Sequence, residues 1–226
     1  MPRDLRDGRD AGAEPRLYPV FLKLAGLPVV VVGGGSVAAS KLDGLLEAGA
    51  HVTVVAPAIC DAIRARGGRD DRAPRSPRPP RLVERGFAPR DLDGARWVVA
   101  AATPEVNREV AAAAAARGVF VNAVDDPATA SAYLGGVVRR GPATVAISTG
   151  GAAPALAGLV REALEALLPD ELERWIEVAR SARAGWKRAG TPLAERRPLL
   201  LRALARLYRG DQAAEAGAFD SHLEAS

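Results

Sequence analysis

The sequence predicts an α/β fold with a doubly wound parallel sheet, and three observations carry that expectation. Val29-Val30-Val31-Val32 is a β-branched run between Pro28 and glycines, as expected for a parallel strand buried on both faces. Gly33, Gly34 and Gly35 follow it directly and open a helical stretch. Strand-like and helix-like segments then alternate as far as Val124.

Each element has its own signal. Residues 1–16 are polar and read as a flexible tail, and Tyr18-Pro19-Val20-Phe21-Leu22 is a short apolar segment before the first strand. From Ser36 to Ala48 the apolar positions Val37, Leu42, Leu45 and Leu46 make a helical stripe, and Gly49 is a C′ stop. His51-Val52-Thr53-Val54-Val55 is the second strand, ended by Ala56-Pro57, which completes a βαβ unit. Between Ile63 and Arg81, seven arginines and four prolines lack an apolar period, so residues 64–81 read as a solvated insertion. Arg81 to Glu84 is a short third strand, Trp97 to Ala102 a fourth, Pro104 to Arg117 a helix and Val119 to Val124 a fifth strand. Two apolar runs, Leu134 to Val138 and Ala143 to Ile147, flank Arg139-Arg140-Gly141-Pro142 and read as a hairpin. Helices are expected from Pro154 to Leu168, Glu171 to Arg188 and Leu193 to Tyr208, before a second tail.

Bulk properties narrow the function classes. Hydrophobic residues make up 48% of the 226, enough for a buried core. The single cysteine, Cys60, cannot form an intramolecular disulfide, so a reducing, cytoplasmic setting is expected. The N-terminal residues lack a signal-peptide pattern, and no apolar stretch approaches the ~20 residues that span a bilayer. A soluble protein without a membrane partner follows. The net charge of +4 fits arginine on solvated surfaces. The Arg/Pro insertion has no interleaved aromatics, so no nucleic-acid partner is expected.

Gly33-x-Gly35-x-x-Ala38 fits the dinucleotide fingerprint of Rossmann folds, with Ala at the third small position. Gly33 permits the tight turn, Gly35 lets backbone approach a pyrophosphate, and Ala38 lets helix pack on sheet. Amides at the helix N-terminus then hold the phosphates. One usual feature is missing: Ala56-Pro57-Ala58 stands where an acidic residue would grip the ribose 2′-hydroxyl. Charge therefore does not separate NAD from NADP. Thr103 and Asn107 either touch the cofactor or start a helix.

With these segments in place the chain resembles the precorrin-2 dehydrogenase family, which includes the N-terminal half of siroheme synthase. The residues that carry the resemblance are Tyr18 to Leu24, VVVVGGGSVAASKLDGLLEAGAHVTVVAP from Val29, and AAATPEVNREV at 100–110. VNAVDDP at 121–127 and AISTGGAAPALAGLVREALEALLP at 146–169 continue it. The resemblance implies a Rossmann domain over 17–134, a dimerisation segment over 135–166, a helical domain over 167–209 and a tail over 210–226. It implies a homodimer that oxidises precorrin-2, a tetrapyrrole, to sirohydrochlorin with NAD, some members also inserting ferrous iron. The methyltransferase part of larger siroheme synthases has no counterpart in these residues, so methylation is not expected. Carried over by position, Ser36, Val37, Pro57 and Ala58 match cofactor contacts, beside Gly33, Gly34 and Gly35. Asp125 matches the family's catalytic aspartate, and Ser148 and Thr149 fall in its Ser/Thr-Gly-Gly segment. Gly135-Gly136 departs from the family pattern, where a Pro is common.

A carboxylate at the end of a parallel strand is well placed to take a proton during such an oxidation. For Asp125 the plain alternative is a turn, since Asp125-Asp126-Pro127 favours one. Arg139 and Arg140 are the candidates for holding the substrate's carboxylates, against a solvated turn between strands. No metal constellation is apparent: His51 opens a strand and His222 lies in the tail. Besides the dehydrogenase, a non-enzymatic NAD sensor acting through a partner fits the same fold.

Overall fold

The computed structural model describes residues 17–67 and 78–205, which form two compact units. The expected tails, the middle of the Arg/Pro insertion and the end of the last expected helix lie outside the described residues. The first unit runs to Leu134 and takes in Gly150–Ala152, and the second comprises Gly135–Thr149 and the chain from Ala153 onward.

In the first unit, β1 (Pro28–Val32), α1 (Ser36–Glu47), β2 (His51–Ala56), α2 (Asp61–Gly67), β3 (Arg81–Glu84), β4 (Trp97–Ala100), α3 (Pro104–Ala115) and β5 (Val121–Ala123) follow in order. The sheet is wholly parallel, in the order β3-β2-β1-β4-β5. The order reverses between β1 and β4, which is the topological switch point of a doubly wound fold.

The valine run explains the layers. Alternate residues of a strand face opposite sides. Val29 and Val31 therefore pack with Ala38, Leu42, Leu46 and Ile63 on the α1–α2 side. Val30 and Val32 pack with Leu92, Val110 and Ala114 on the α3 side. All four valines are buried, so a polar residue at any of them would face a core. Gly49 ends α1 at φ 75°, where its N–H reaches the Leu46 carbonyl and the Ala50 N–H reaches that of Leu45.

Two readings of the sequence are corrected. The exposed insertion expected over 64–81 begins later, because α2 runs through Gly67. Its seven residues are too few to display a period, but Ile63 anchors it in the core with no exposed surface. The fifth strand is shorter than Val119 to Val124. The Val119 N–H closes the end of α3 on the Ala114 carbonyl, and Phe120 is exposed. A 3-10 turn at Pro89–Leu92, unheralded in the sequence, buries Leu92 completely.

In the second unit, β6 (Gly136–Arg140) and β7 (Ala143–Ile147) form the expected antiparallel hairpin. Gly141 has φ 53° and Pro142 a ring-fixed negative φ, the sign pattern of a type II′ turn. A Cβ at Gly135 would lie 1.8 Å from the Ile147 carbonyl oxygen, so the glycine at this departure from the family pattern lets the hairpin close. Helices α4 (Pro154–Leu167) and α5 (Leu172–Arg188) pack on this hairpin, and residues 193–205 are helical. Among the described residues no helix is long and apolar enough to cross a membrane.

Asp91 ties the 3-10 turn to the sheet. Its carboxylate accepts from the Ala88 N–H at 2.9 Å and from both terminal nitrogens of Arg85. The Arg85 guanidinium, followed by the Ala88 amide, holds this carboxyl below its ordinary range. A depressed folded pKa stabilises the fold above the unfolded value and loses that contribution as the pH falls through the folded one. Asp91→Asn is therefore expected to cost about 1 kcal/mol at neutral pH in urea unfolding. The gap from wild type should close as the medium is acidified below the carboxylate range.

Candidate functional site

The cofactor-contact candidates singled out from the sequence, Gly33 to Val37, Pro57, Ala58 and Thr103, follow the ends of β1, β2 and β4. Gly33 leaves β1 at φ 130°, a conformation that side chains rarely adopt, and its N–H donates to the Val55 carbonyl at 2.9 Å. A Cβ there would lie 2.1 Å from the Ala101 carbonyl oxygen, so the turn after β1 and the turn after β4 touch backbone to backbone. At Gly34 a Cβ would meet the Ala58 carbonyl oxygen at 1.9 Å, and the Gly34 carbonyl accepts from the Cys60 N–H at 2.8 Å. Gly34 thus brings the glycine turn against Pro57-Ala58, as the sequence reading grouped them.

Gly35 differs from both. A Cβ on it would meet nothing within 4 Å, so open space lies before it. It is the N-cap of α1 without a side-chain capping bond, and the first turn carries no acidic residue. Helix geometry leaves the N–H groups of Ser36, Val37 and Ala38 without intrahelical acceptors. Ser36 and Val37 are exposed, while Ala38 is fully buried against the sheet. Unpaired donors, open approach and no competing carboxylate fit a dinucleotide's pyrophosphate. These residues would hold it.

Across the switch point, Thr103 is the N-cap of α3, with Pro104 in its first turn. The Asn107 side chain is buried, and its Oδ1 accepts from the Ala102 N–H at 2.9 Å. Asn107 therefore braces the β4 turn from below. Glu105 is held below the ordinary carboxylate range by its own backbone N–H and then by the Thr103 hydroxyl, so an anion faces solvent beside this turn.

Asp125 follows β5 in the left-handed region at φ 58°, the sole non-glycine residue with positive φ among the described residues. It is exposed, and the Val124 N–H before it donates to the Ala100 carbonyl at the end of β4. Asp tolerates this conformation better than most residues, and non-glycine residues held there cluster at functional sites. The segment after it folds back along the outer edge of β5. Both the Ser131 and Ala132 N–H groups donate to the Val121 carbonyl at 3.0 Å, and the Val121 N–H donates to the Ser131 hydroxyl at 2.8 Å. Asn122 donates from Nδ2 to the Ala132 carbonyl, and the Tyr133 hydroxyl to that of Pro127. Nothing in the sequence marked Ser131 or Asn122, because their partners are set by the loop's path.

Arg139 and Arg140 lie in the second unit, in β6. Arg139 is exposed. Arg140 donates to the Glu165 carbonyl at 2.9 Å and pairs with Asp170 at 3.2 Å, so it ties β6 to the end of α4. Thr149 also has a local role: its hydroxyl accepts from the Ala153 N–H where α4 begins.

Residues 20–136, more than half of the chain, match the family model NAD_binding_7, described as "Putative NAD(P)-binding". The chain belongs to that family. Within this NAD(P)-binding family its relatives are specific: residues 140–167 match the model for the central part of sirohaem biosynthesis proteins. The chain is 41% identical over 205 residues to siroheme synthase 1 of Aeromonas salmonicida, a match covering 86% of this chain and 42% of that protein. It is 40% identical over 206 residues to siroheme synthase 3 of Aeromonas hydrophila, with the same two coverages. The chain thus spans well under half the length of these relatives. Among solved structures it is similar to SirC, a precorrin-2 dehydrogenase, with a TM-score of 0.62 and 26% identity over 82% of this chain and 88% of that one. The resemblance and the fold class read from the sequence are both borne out.

The glycines separate fold from binding experimentally. Gly33→Ala is expected to lower stability by about 2 kcal/mol or more in urea unfolding, through strained φ and the clash with Ala101. Gly35→Ala meets open space at φ −88°, so its melting temperature should stay near wild type while dinucleotide affinity by calorimetry falls about tenfold.

Proposed function

We propose that this chain oxidises precorrin-2 to sirohydrochlorin, with NAD as the acceptor. The observation that carries the reading is Asp125: a carboxylate in a left-handed turn at the C-terminal edge of the sheet that also bears the glycine turn. The family membership and the likeness to SirC and the siroheme synthases support it.

The oxidation removes a hydride and a proton from the macrocycle, and the bound nicotinamide supplies the hydride acceptor. The protein's own part is binding, orientation and proton transfer. The α1 amides fix the phosphates and the Gly33–Ala101 contact fixes the two turns beside them. The Asp125 carboxylate takes the proton, a contribution worth about 10²–10⁴-fold in rate. Arg139 serves the carboxylates of the substrate. Arg140, the second candidate for those carboxylates, is engaged by the Glu165 carbonyl and Asp170. Ferrous iron enters as a second substrate, held by the macrocycle nitrogens. Among the described residues no group of three or more His, Cys, Asp or Glu is placed to hold a metal ion.

The reading includes a homodimer formed through residues 135–166. On α4, Leu156, Leu159, Val160 and Leu167 follow helical spacing and are exposed, Leu159 at 63% and Leu167 at 76%. An apolar stripe of this kind marks a contact surface.

Absorbance of precorrin-2 with NAD, before and after ferrous iron is added, tests both chemical steps. Asp125→Ala is expected to lose oxidation by about 100-fold or more while calorimetry shows NAD affinity retained. Wild-type protein that binds NAD but leaves precorrin-2 unchanged would point instead to an NAD sensor. For assembly, Leu159→Glu should convert a dimeric mass to a monomeric one by light scattering at micromolar concentration; a wild-type monomer refutes that element of the reading.

A further inference from the structure

The ribose end of the nucleotide crevice poses a question that β2 alone does not answer. β2 closes on Ala56, and Pro57-Ala58 follow, so the strand offers no carboxylate to a ribose hydroxyl. The register of the sheet supplies one from the next strand. Ala56 is paired with Glu84, the last residue of β3. Paired residues of parallel strands point to the same face. The Ala56 Cβ points at the glycine turn, 2.9 Å from where a Cβ on Gly34 would stand. Glu84 therefore rises on the glycine-turn side of the sheet, one strand over from the empty position.

Glu84 does not stand alone. Arg64 on α2 donates to both its carboxylate oxygens, at 2.8 and 2.6 Å, and the Arg64 Nε donates to the Ile59 carbonyl at 3.1 Å. The bidentate pair is thereby fixed to the residue that follows Ala58. Both side chains are nearly half exposed, so the pair contributes little to stability. Arg64 also holds the Glu84 carboxyl below its ordinary range, which keeps it ionised at neutral pH.

We propose that Glu84 provides, from β3, the carboxylate that β2 lacks, and that the Glu84–Arg64 pair makes this site select a dinucleotide without a 2′-phosphate. This rests on the nicotinamide-cofactor reading above and deepens it. A free arginine here would attract a phosphate. Here the guanidinium is already neutralised, and a 2′-phosphate would confront an ionised carboxylate.

Calorimetric titration of the purified protein with NAD and with NADP tests this without any turnover. Wild type is expected to bind NAD at least about tenfold more tightly than NADP. Glu84→Gln should weaken NAD binding several-fold, because the ribose loses its carboxylate, and raise NADP affinity about tenfold, because Arg64 is released. Glu84→Gln combined with Arg64→Gln should lose that gain. Arg64→Gln alone, a second variant should the first not fold, should weaken NADP binding further. An unchanged NAD-to-NADP ratio in Glu84→Gln, or tighter NADP binding in Arg64→Gln, overturns the inference and leaves the cofactor reading intact. Failure of folded wild type to bind either nucleotide overturns both.

Discussion

At the switch point, the backbone leaving β1 runs against the carbonyl that follows β4, with room for nothing larger than hydrogen at Gly33. The Val32 carbonyl accepts from the Ala101 N–H at 2.8 Å, so the two central strands stay registered to their last residues. From that contact the rest is set in turn. Gly34 carries the chain under Ala58, and Gly35 starts α1 with its free amides facing open space. Ala38 then drops into the core. A side chain at any early step would displace the strand ends from one another, and the anion-binding turn would lose its shape before its chemistry.

The parts of this arrangement that the sequence announced are those written in local pattern. The valine run, the glycines and the stop at Gly49 are each decided by neighbours a few residues away, and all stand where the pattern puts them. α2 was hidden because a seven-residue helix anchored by one buried isoleucine has no period to read. β5 was overextended because Val119 and Phe120 have strand-like chemistry while the chain uses them to leave α3. The site was legible to the same degree. Positions flanking the glycines follow from the motif, whereas the pairing of Ala56 with Glu84 is a matter of register between strands separated by a helix and an insertion.

The second unit shows how far an assignment by residue type can reach. Two adjacent arginines next to a glycine-proline turn look alike in sequence. In the hairpin they differ, because successive strand residues face opposite ways: Arg139 is left exposed, while Arg140 lies across the end of α4 with its Nε buried and unpartnered. The exposed leucines of α4 have the same logic. Their spacing is that of a core-facing stripe, yet only Ala157 of that helix is buried.

The fold-back of residues 126–134 along β5 has a consequence beyond the carboxylate it frames. An open strand edge invites another chain to continue the sheet, the first step toward aggregation. Here the outward N–H and C=O of Val121 are already satisfied by Ser131 and Ala132. The opposite border is the four-residue β3, capped at both ends by charged side chains, Arg81 and Glu84. The same loop that carries Asp125 thus leaves the Val121 edge of the sheet with no free backbone group to offer a second chain.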